Sequence, residues 1–416
     1  MNRTSLRKYY QDDLRKLINF WVPKKVSKMV VTEKDGLLQL PKKVKKYDYV
    51  IVNNLVGDLL DVQKELSRLQ AYCNHETRLV VTYYNHLWEP ILKVASFFGL
   101  RNKVGEQNWL DQDDLVNLLE LAGFEMISRH RRLLLPVDIP VLSQLVNRWL
   151  AHLPLFNRLG LITSVIARIK PKTGKDYSVS IVVPARNESG NIGGTIKSIP
   201  KFGKWQEIVF VEGHSTDETW KVIGVELKKK YPKHIKVSAY RQKGKGKADA
   251  VRLGFKKAKG DILMILDADL TVNPKDLLKF YKIIVSGEGE FVNGSRMVYP
   301  MEKQAMQTLN KLGNRIFGVL FSYILGQRFK DTLCGTKVLL KKNYEKIARN
   351  RKFFGEFDPF GDFDLIFGAI KQNLKVVEVP VRYRERVYGS TNISRFKHGW
   401  LLLKMTWFGF MKFKAW

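Results

Sequence analysis

Asp267 and Asp269 close a run of five apolar residues, Ile262-Leu263-Met264-Ile265-Leu266. In an extended chain residues two apart point the same way, so both carboxylates can face one cation. Carboxylate oxygens suit hard divalent ions, and Mg2+ or Mn2+ held this way keeps positions open for phosphate oxygens. Such an ion stabilises a departing diphosphate as a Lewis acid. The Asp-x-Asp pattern is weak alone, because Asp111-Gln112-Asp113 and Asp362-Phe363-Asp364 share it. Context separates them. Asp111 reads as a helix start, where a carboxylate caps free N–H groups, whereas Asp267 and Asp269 follow a buried strand.

Lys243-Gly244-Lys245-Gly246-Lys247 suits an anion equally well, since its glycines let the backbone approach a phosphate and a helix follows at Ala248. A solvated basic turn is the alternative, and the run is not the G-x-x-x-x-G-K-S/T nucleotide loop. Ser215-Thr216-Asp217-Glu218 fits a capping box with Ser215 as cap, which leaves Glu212 unexplained. His214 and His398 stand alone and are assigned no role, and Cys334 reads as a small packing residue.

These groups need a frame. Pro171-Lys172-Thr173-Gly174-Lys175-Asp176 is a polar break that marks a domain boundary. After it strands at Val179 to Val183, Ile208 to Val211, Ile235 to Tyr240 and Ile262 to Leu266 alternate with helices from about Asn191, Asp217 and Ala248. That alternation predicts βαβ units and a mostly parallel sheet, with the ligand site beyond the strands' carboxyl ends. Polar and acidic residues gather there: Pro184-Ala185-Arg186-Asn187-Glu188, Glu212 to Asp217, and Asp267 to Asp269. The N-terminal half predicts a smaller α/β domain, with strands at Tyr47 to Val52, Leu79 to Thr82 and Phe124 to Ile127 and helices at Leu59 to Leu69 and Asp111 to Ala122.

Composition bounds the function. With 416 residues the chain has length for two domains or more. A balance of 72 Lys+Arg against 40 Asp+Glu gives +32, spread over both halves, so anionic partners are expected. Nucleic acid finds no zinc-finger spacing, aromatic RNA motif or basic zipper to support it, and no nucleic-acid partner is expected. Two cysteines are too few for a disulfide framework, and residues 1 to 25 lack the apolar core of a secretory signal, so a cytoplasmic chain is expected. No stretch reaches the ~18 to 20 apolar residues that span a bilayer. A helix over residues 400 to 416, continued back to Lys397, places Lys397, Lys404, Lys412 and Lys414 on one face and Trp400, Leu403, Trp407, Phe410 and Met411 mostly on the rest. That suits a helix lying in a membrane interface, or one packed on its own domain.

Taken in order, Val182 to Glu188, Val211 to Asp217, Gly244 to Ala248 and Asp267-Ala268-Asp269-Leu270 resemble a family 2 inverting glycosyltransferase of the GT-A fold. Gly294-Ser295-Arg296, Asp331 to Lys337, and Glu378 to Tyr383 with Arg386 and Gly389-Ser390 extend the resemblance toward dolichyl- and polyprenyl-phosphate mannosyltransferases, over residues 177 to 400. The resemblance implies a Rossmann-like, mostly parallel sheet and a UDP- or GDP-sugar donor. It implies that Pro184, Asn187, Glu188 and Glu212 line the donor's nucleoside pocket, that Lys247 and Arg386 reach its diphosphate, and that Asp267 and Asp269 hold the metal. Arg296, Lys337 and Ser390 would meet a lipid-linked acceptor, with Asp362 and Asp364 in the region of a catalytic acid. Asp362 is the first choice of base for a hydroxyl acceptor, whereas an ionised phosphate acceptor needs little base. Two departures stand out: Glu212 replaces the usual Asp, and Thr391-Asn392 replaces a Ser-Lys pair.

Residues 40 to 136 resemble the second half of a class I S-adenosylmethionine-dependent methyltransferase, with Tyr47 to Val52 and Arg78 to Thr82 as neighbouring strands. The half that would carry a glycine-rich cofactor turn is missing, since Gly36 is the only glycine upstream of Tyr47. The expected organisation is a truncated methyltransferase-like domain at 1–170, a GT-A domain at 177–400 and an interfacial helix at 400–416, the whole peripheral on the inner face of the cell membrane.

Overall fold

A computed structural model of the chain describes residues 3–99, 101, 107–171, 174–300, 308–353, 361–386, 388 and 395–415. It divides into two compact units, Met1–Lys170 with Met411–Trp416, and Pro171–Phe410.

Among its described residues the first unit holds six strands, β1 (Lys28–Lys34), β2 (Leu37–Gln39), β3 (Tyr49–Asn53), β4 (Arg78–Tyr84), β5 (Phe124–Arg132) and β6 (Ile162–Ile169), with helices α1 (Arg3–Trp21), α2 (Val62–Arg68), α3 (Glu89–Phe97), α4 (Gln112–Leu121), α5 (Leu142–Arg148) and α6 (Pro154–Asn157). Its sheet runs β2-β1-β3-β4-β6-β5. β1, β3 and β4 are parallel, while β6 is antiparallel to both neighbours. β3 and β4 are apolar and buried on both faces, as parallel strands under helices must be. Asp111 is the cap that its position suggests: its side chain accepts from Asp114 N at 2.8 Å, and Asp114 accepts from Asp111 N at 3.0 Å.

The second unit carries β7 (Val179–Ala185), β8 (Gln206–Glu212), β9 (Ile235–Arg241), β10 (Ile262–Ile265), β11 (Phe291–Ser295), β12 (Lys337–Leu340) and β13 (Val376–Pro380). Its helices are α7 (Ile192–Ser198), α8 (Thr219–Leu227), α9 (Lys247–Lys257), α10 (Leu277–Ser286), α11 (Thr308–Leu325), α12 (Lys341–Arg349), α13 (Phe363–Lys371) and α14 (Arg395–Phe413). The order is β13-β11-β12-β10-β7-β8-β9, parallel except β12, which opposes both β10 and β11. The fold is thus mixed α/β with mostly parallel sheets, as the alternating pattern predicts. β7 continues to β8 on one side and meets β10 on the other, so the strand order reverses between them. A crevice opens at the carboxyl ends where such a reversal occurs.

Two expectations are corrected. Ser215 does not cap α8; the preceding Asp217 accepts from Thr219 N at 2.9 Å instead, and Ser215 Oγ accepts from Asn187 N at 3.0 Å. The terminal helix starts at Arg395 and ends at Phe413, and Lys414, expected on one face with Lys404, does not share its exposure. Lys414 is buried, whereas Trp400, Leu403 and Trp407 are exposed beside Lys404. Burial drives Lys414 down to about 8, with Arg132 adding to the shift. No helix among the described residues is long and apolar enough to cross a membrane.

Candidate active site

Three strand tips and one helix start build the site. β10 delivers Asp267 and Asp269, β7 runs into Asn187 and Glu188, β8 ends in Glu212, and α9 begins at Lys247. Lys247 Nζ lies 2.6 Å from Asp267 Oδ1. Burial alone would lower the Lys247 ammonium, yet Asp267, Asp362 and Asp269 outweigh it and hold it well above its usual value. Burial likewise pushes Asp267 up, but Lys247, then Lys337 and Arg296, bring it below the ordinary carboxylate range.

Asp269 is held on both oxygens. Oδ1 accepts from Thr271 N at 3.1 Å and Thr271 Oγ1 at 2.9 Å, and Oδ2 accepts from Arg386 at 2.6 Å. Arg386 also donates to Glu188 Oε1 at 3.1 Å. Glu188 is raised above its usual value, first by burial and then by Asp269 and Asp267, against the opposing pull of Asn191 and Arg386. Arg386 therefore ties the tip of β7 to the tip of β10.

The pocket walls follow from local bonding. Asn187 takes a left-handed φ of 56°, and its Oδ1 accepts from Thr216 N at 2.8 Å, an arrangement that Asn tolerates better than most residues. Glu212 is buried and accepts from Ser215 N at 2.5 Å, so the residue that local capping leaves unexplained shapes the β8 loop. Tyr388 closes over Gly190 and meets Ser189 Oγ at 2.9 Å. His214 Nε2 contacts the Gly244 carbonyl at 2.9 Å, joining that loop to the basic run. Pro184 stands in β7 opposite Val211.

The residues expected to meet the acceptor sit differently. Arg296 forks onto Asp331, with Nε at 2.7 Å and Nη2 at 2.9 Å, and Asn314 adds a third bond at 2.9 Å. Burial raises Asp331, but Arg296 outweighs it and draws the carboxyl down to about 2. Lys337 is fully enclosed: its ammonium donates to the Cys334 carbonyl at 2.5 Å and lies 2.9 Å from Asp362 Oδ1. That corrects its reading as an acceptor contact, because a buried ammonium paired with a buried carboxylate offers no surface to a ligand. Asp364 is clamped by Arg252 at 3.2 Å and Arg351 at 2.8 Å and serves as an ion-pair anchor for the start of α13. Ser390 lies outside the described residues.

One residue that the Asp331 to Lys337 motif contains without a role of its own is Gly335. A Cβ there would collide with Asp267 Oδ2 and Lys247 Nζ. The signal is a glycine just upstream of β12, in a segment that must pass close to a carboxylate. Its bare Cα also bears on whether a metal fits. Asp267 is about a third exposed, and Oδ2 faces space that a side chain at 335 would fill. Among the described residues no group of three or more His, Cys, Asp or Glu is placed to hold a metal. Two carboxylates without a third protein ligand suit Mg2+ or Mn2+ that takes its remaining oxygens from phosphate and water, so the residues fit such an ion.

Comparison with known proteins follows the same segment. Residues 180–348 match the family described as glycosyl transferase family 2. Glycosyltransferase AglJ of Haloferax volcanii is 28% identical over 227 residues, 54% of this chain and 69% of that protein. The dolichol-phosphate mannosyltransferase of Pyrococcus furiosus is 32% identical over 221 residues, 52% of this chain and 59% of its own length. The uncharacterized protein MJ1222 of Methanocaldococcus jannaschii is 30% identical over 226 residues, 52% of this chain and 84% of that one. With its acidic strand tips and basic helix start at the reversal of a mostly parallel sheet, the chain belongs to glycosyl transferase family 2 and is a glycosyltransferase.

Proposed function

We propose that the chain transfers a sugar, with inversion, from a UDP- or GDP-sugar to a polyprenyl phosphate at the inner face of the cell membrane. The observation that carries this reading is the pair of ion pairs Lys247–Asp267 and Arg386–Asp269. Each cation is matched to a carboxylate that a donor diphosphate would repel. Lys247 and Arg386 would meet the donor's diphosphate oxygens, and Asp267 and Asp269 would hold Mg2+ or Mn2+. A bound divalent ion supplies Lewis-acid stabilisation of the leaving diphosphate. Pro184, Asn187, Glu188 and Glu212 line the nucleoside side.

The phosphate acceptor is favoured over a sugar hydroxyl by the state of Asp362. Its carboxylate is buried and engaged by Lys337, so a base role requires that pair to open first. A phosphate monoester is largely ionised already and needs no such step. The dolichol-phosphate mannosyltransferase likeness supports the same choice. The test is nucleoside diphosphate release from a panel of nucleotide sugars with polyprenyl phosphate, with and without a chelator. Turnover that the chelator leaves intact contradicts the metal assignment, and turnover only with a sugar hydroxyl restores Asp362 as base.

The first unit is read as a methyltransferase-like scaffold that no longer takes S-adenosylmethionine. Gly36 lies in the tight turn between β1 and β2, at φ 76°, behind Asp35 at 53°. The hollow lined by Asn54, Gly57, Tyr83 and Tyr84, beyond β3 and β4, measures about 10 Å3, room for a water and not for a nucleoside. Calorimetric binding of S-adenosylmethionine would overturn this assignment.

A further inference from the structure

The smaller unit presents an apolar surface that its own fold leaves uncovered. α3 exposes Ile91 and Val94 at helical spacing, its last residue Phe97 is 82% exposed, and Phe98 just after it is exposed as well. A second segment, Ile139 to Leu159, exposes Val141, Leu142, Leu145, Leu153 and Leu155, the last at 73%. Hydrogen bonds join the two. Trp88 Nε1 donates to the Leu159 carbonyl at 2.6 Å, and Asn85 Nδ2 donates to the Arg158 and Gly160 carbonyls at 2.8 and 3.0 Å. The start of α3 is thereby seated against the end of the segment. The segment is also pinned from beneath: Asn147 Oδ1 accepts from Leu135 N at 2.8 Å, and Ser143 Oγ donates to the Val137 carbonyl at 2.6 Å. So many large apolar side chains held outward together mark an interaction surface.

Charge indicates what covers it. Between Asp138 and Asp176 the sequence contains no acidic residue, and Arg148 and Arg158 are exposed within that stretch. Trp88 and Trp149 are half-buried at the same surface, with Arg148 5.8 Å from the Trp149 ring centroid. Leucines at the centre, tryptophans and arginines beside them, and one carboxylate, Glu89, paired with Lys93 at 2.6 Å, suit the boundary between acyl chains and anionic headgroups. A second copy of this chain would bring the same positive field and be repelled.

We propose that α3 together with the Ile139–Leu159 segment is the face through which the chain adsorbs to an anionic lipid bilayer. Its purpose rests on the membrane-anchored acceptor proposed above. Adsorption is measured without turnover, so the two readings can fail separately. The test is sedimentation of the full chain with vesicles of phosphatidylcholine, alone or mixed with phosphatidylglycerol. The chain should pellet with the mixed vesicles and be released by salt, and Phe97→Glu with Leu155→Glu should lower partitioning roughly tenfold or more. Because Cys73 and Cys334 are both buried, an environment-sensitive dye on Phe97→Cys reports this site alone, and its emission should shift to the blue on the same vesicles. A wild-type chain that stays in the supernatant, a double variant that pellets equally, or a dye that does not shift overturns the proposal. A dimer that the double variant dissociates, without any vesicle binding, also overturns it and makes the face a self-interface.

Discussion

Lys247 Nζ and Asp267 Oδ1 stand 2.6 Å apart, so the first residue of α9 and a carboxylate two residues past the end of β10 neutralise each other. If Lys247 changes partner to the diphosphate, Lys247→Met removes a charge-assisted bond of about 2 kcal/mol. The donor KM should rise roughly thirtyfold, while circular dichroism and melting stay near wild type. An unchanged donor KM would mean that the ammonium serves Asp267 alone.

Gly335→Ala tests the closeness of the β12 approach. The added methyl would overlap Asp267 Oδ2 and Lys247 Nζ, and both must shift. Turnover should fall by about two orders of magnitude, since misplacing a reacting group by ~1 Å costs that much. Full activity would show that the loop yields freely.

Much of this site is legible in the sequence because strands buried on both faces read as unbroken apolar runs, and their ends are then marked by the first polar residues. That is how Asp267, Glu188 and Glu212 are found. Lys337 is not legible, because only its tertiary partner Asp362 permits a lysine to be wholly enclosed. Nor is β12, whose four residues pair antiparallel inside a parallel sheet without any local cue. Ser215 misleads for a related reason: the capping pattern is present, but Glu212, Asn187 and Asp217 compete for the same donors and acceptors. In the first unit, β3, β4 and α4 follow their patterns, whereas β1 and β6 carry too little flanking turn signal to be placed.

Breaking the Arg296–Asp331 pair should destabilise the second unit. Asp331→Asn leaves a buried guanidinium without its anion and should cost about 3 to 5 kcal/mol in chemical denaturation. The pH dependence follows from the sign of the shift. The folded carboxyl sits at about 2, below an unfolded value near 4, so its contribution of about 2 kcal/mol is complete above pH ~4 and lost as pH falls toward 2. A stability profile through that window identical in wild type and variant would contradict the assignment.

Asp362→Asn separates the two acceptor classes. With polyprenyl phosphate the variant should keep at least about a tenth of wild-type kcat, because the nucleophile is already ionised. With a hydroxyl acceptor it should lose roughly two to four orders of magnitude, the usual worth of a general base. A loss of the larger size with the phosphate acceptor, in a variant that still melts as a folded chain despite the enclosed Lys337 left without its anion, would assign the carboxylate a direct part in that reaction.

The central claim, that Asp267 and Asp269 bind a divalent ion together with the donor's diphosphate, is tested most directly by calorimetric titration of UDP and GDP into wild type, Asp267→Asn and Asp269→Asn, with and without Mn2+. One of the nucleotides should bind wild type at least tenfold more tightly with Mn2+, and both variants should lose that increment while retaining their fold. Binding that is equally tight without the ion, or an Mn2+ increment that survives both substitutions, would contradict it.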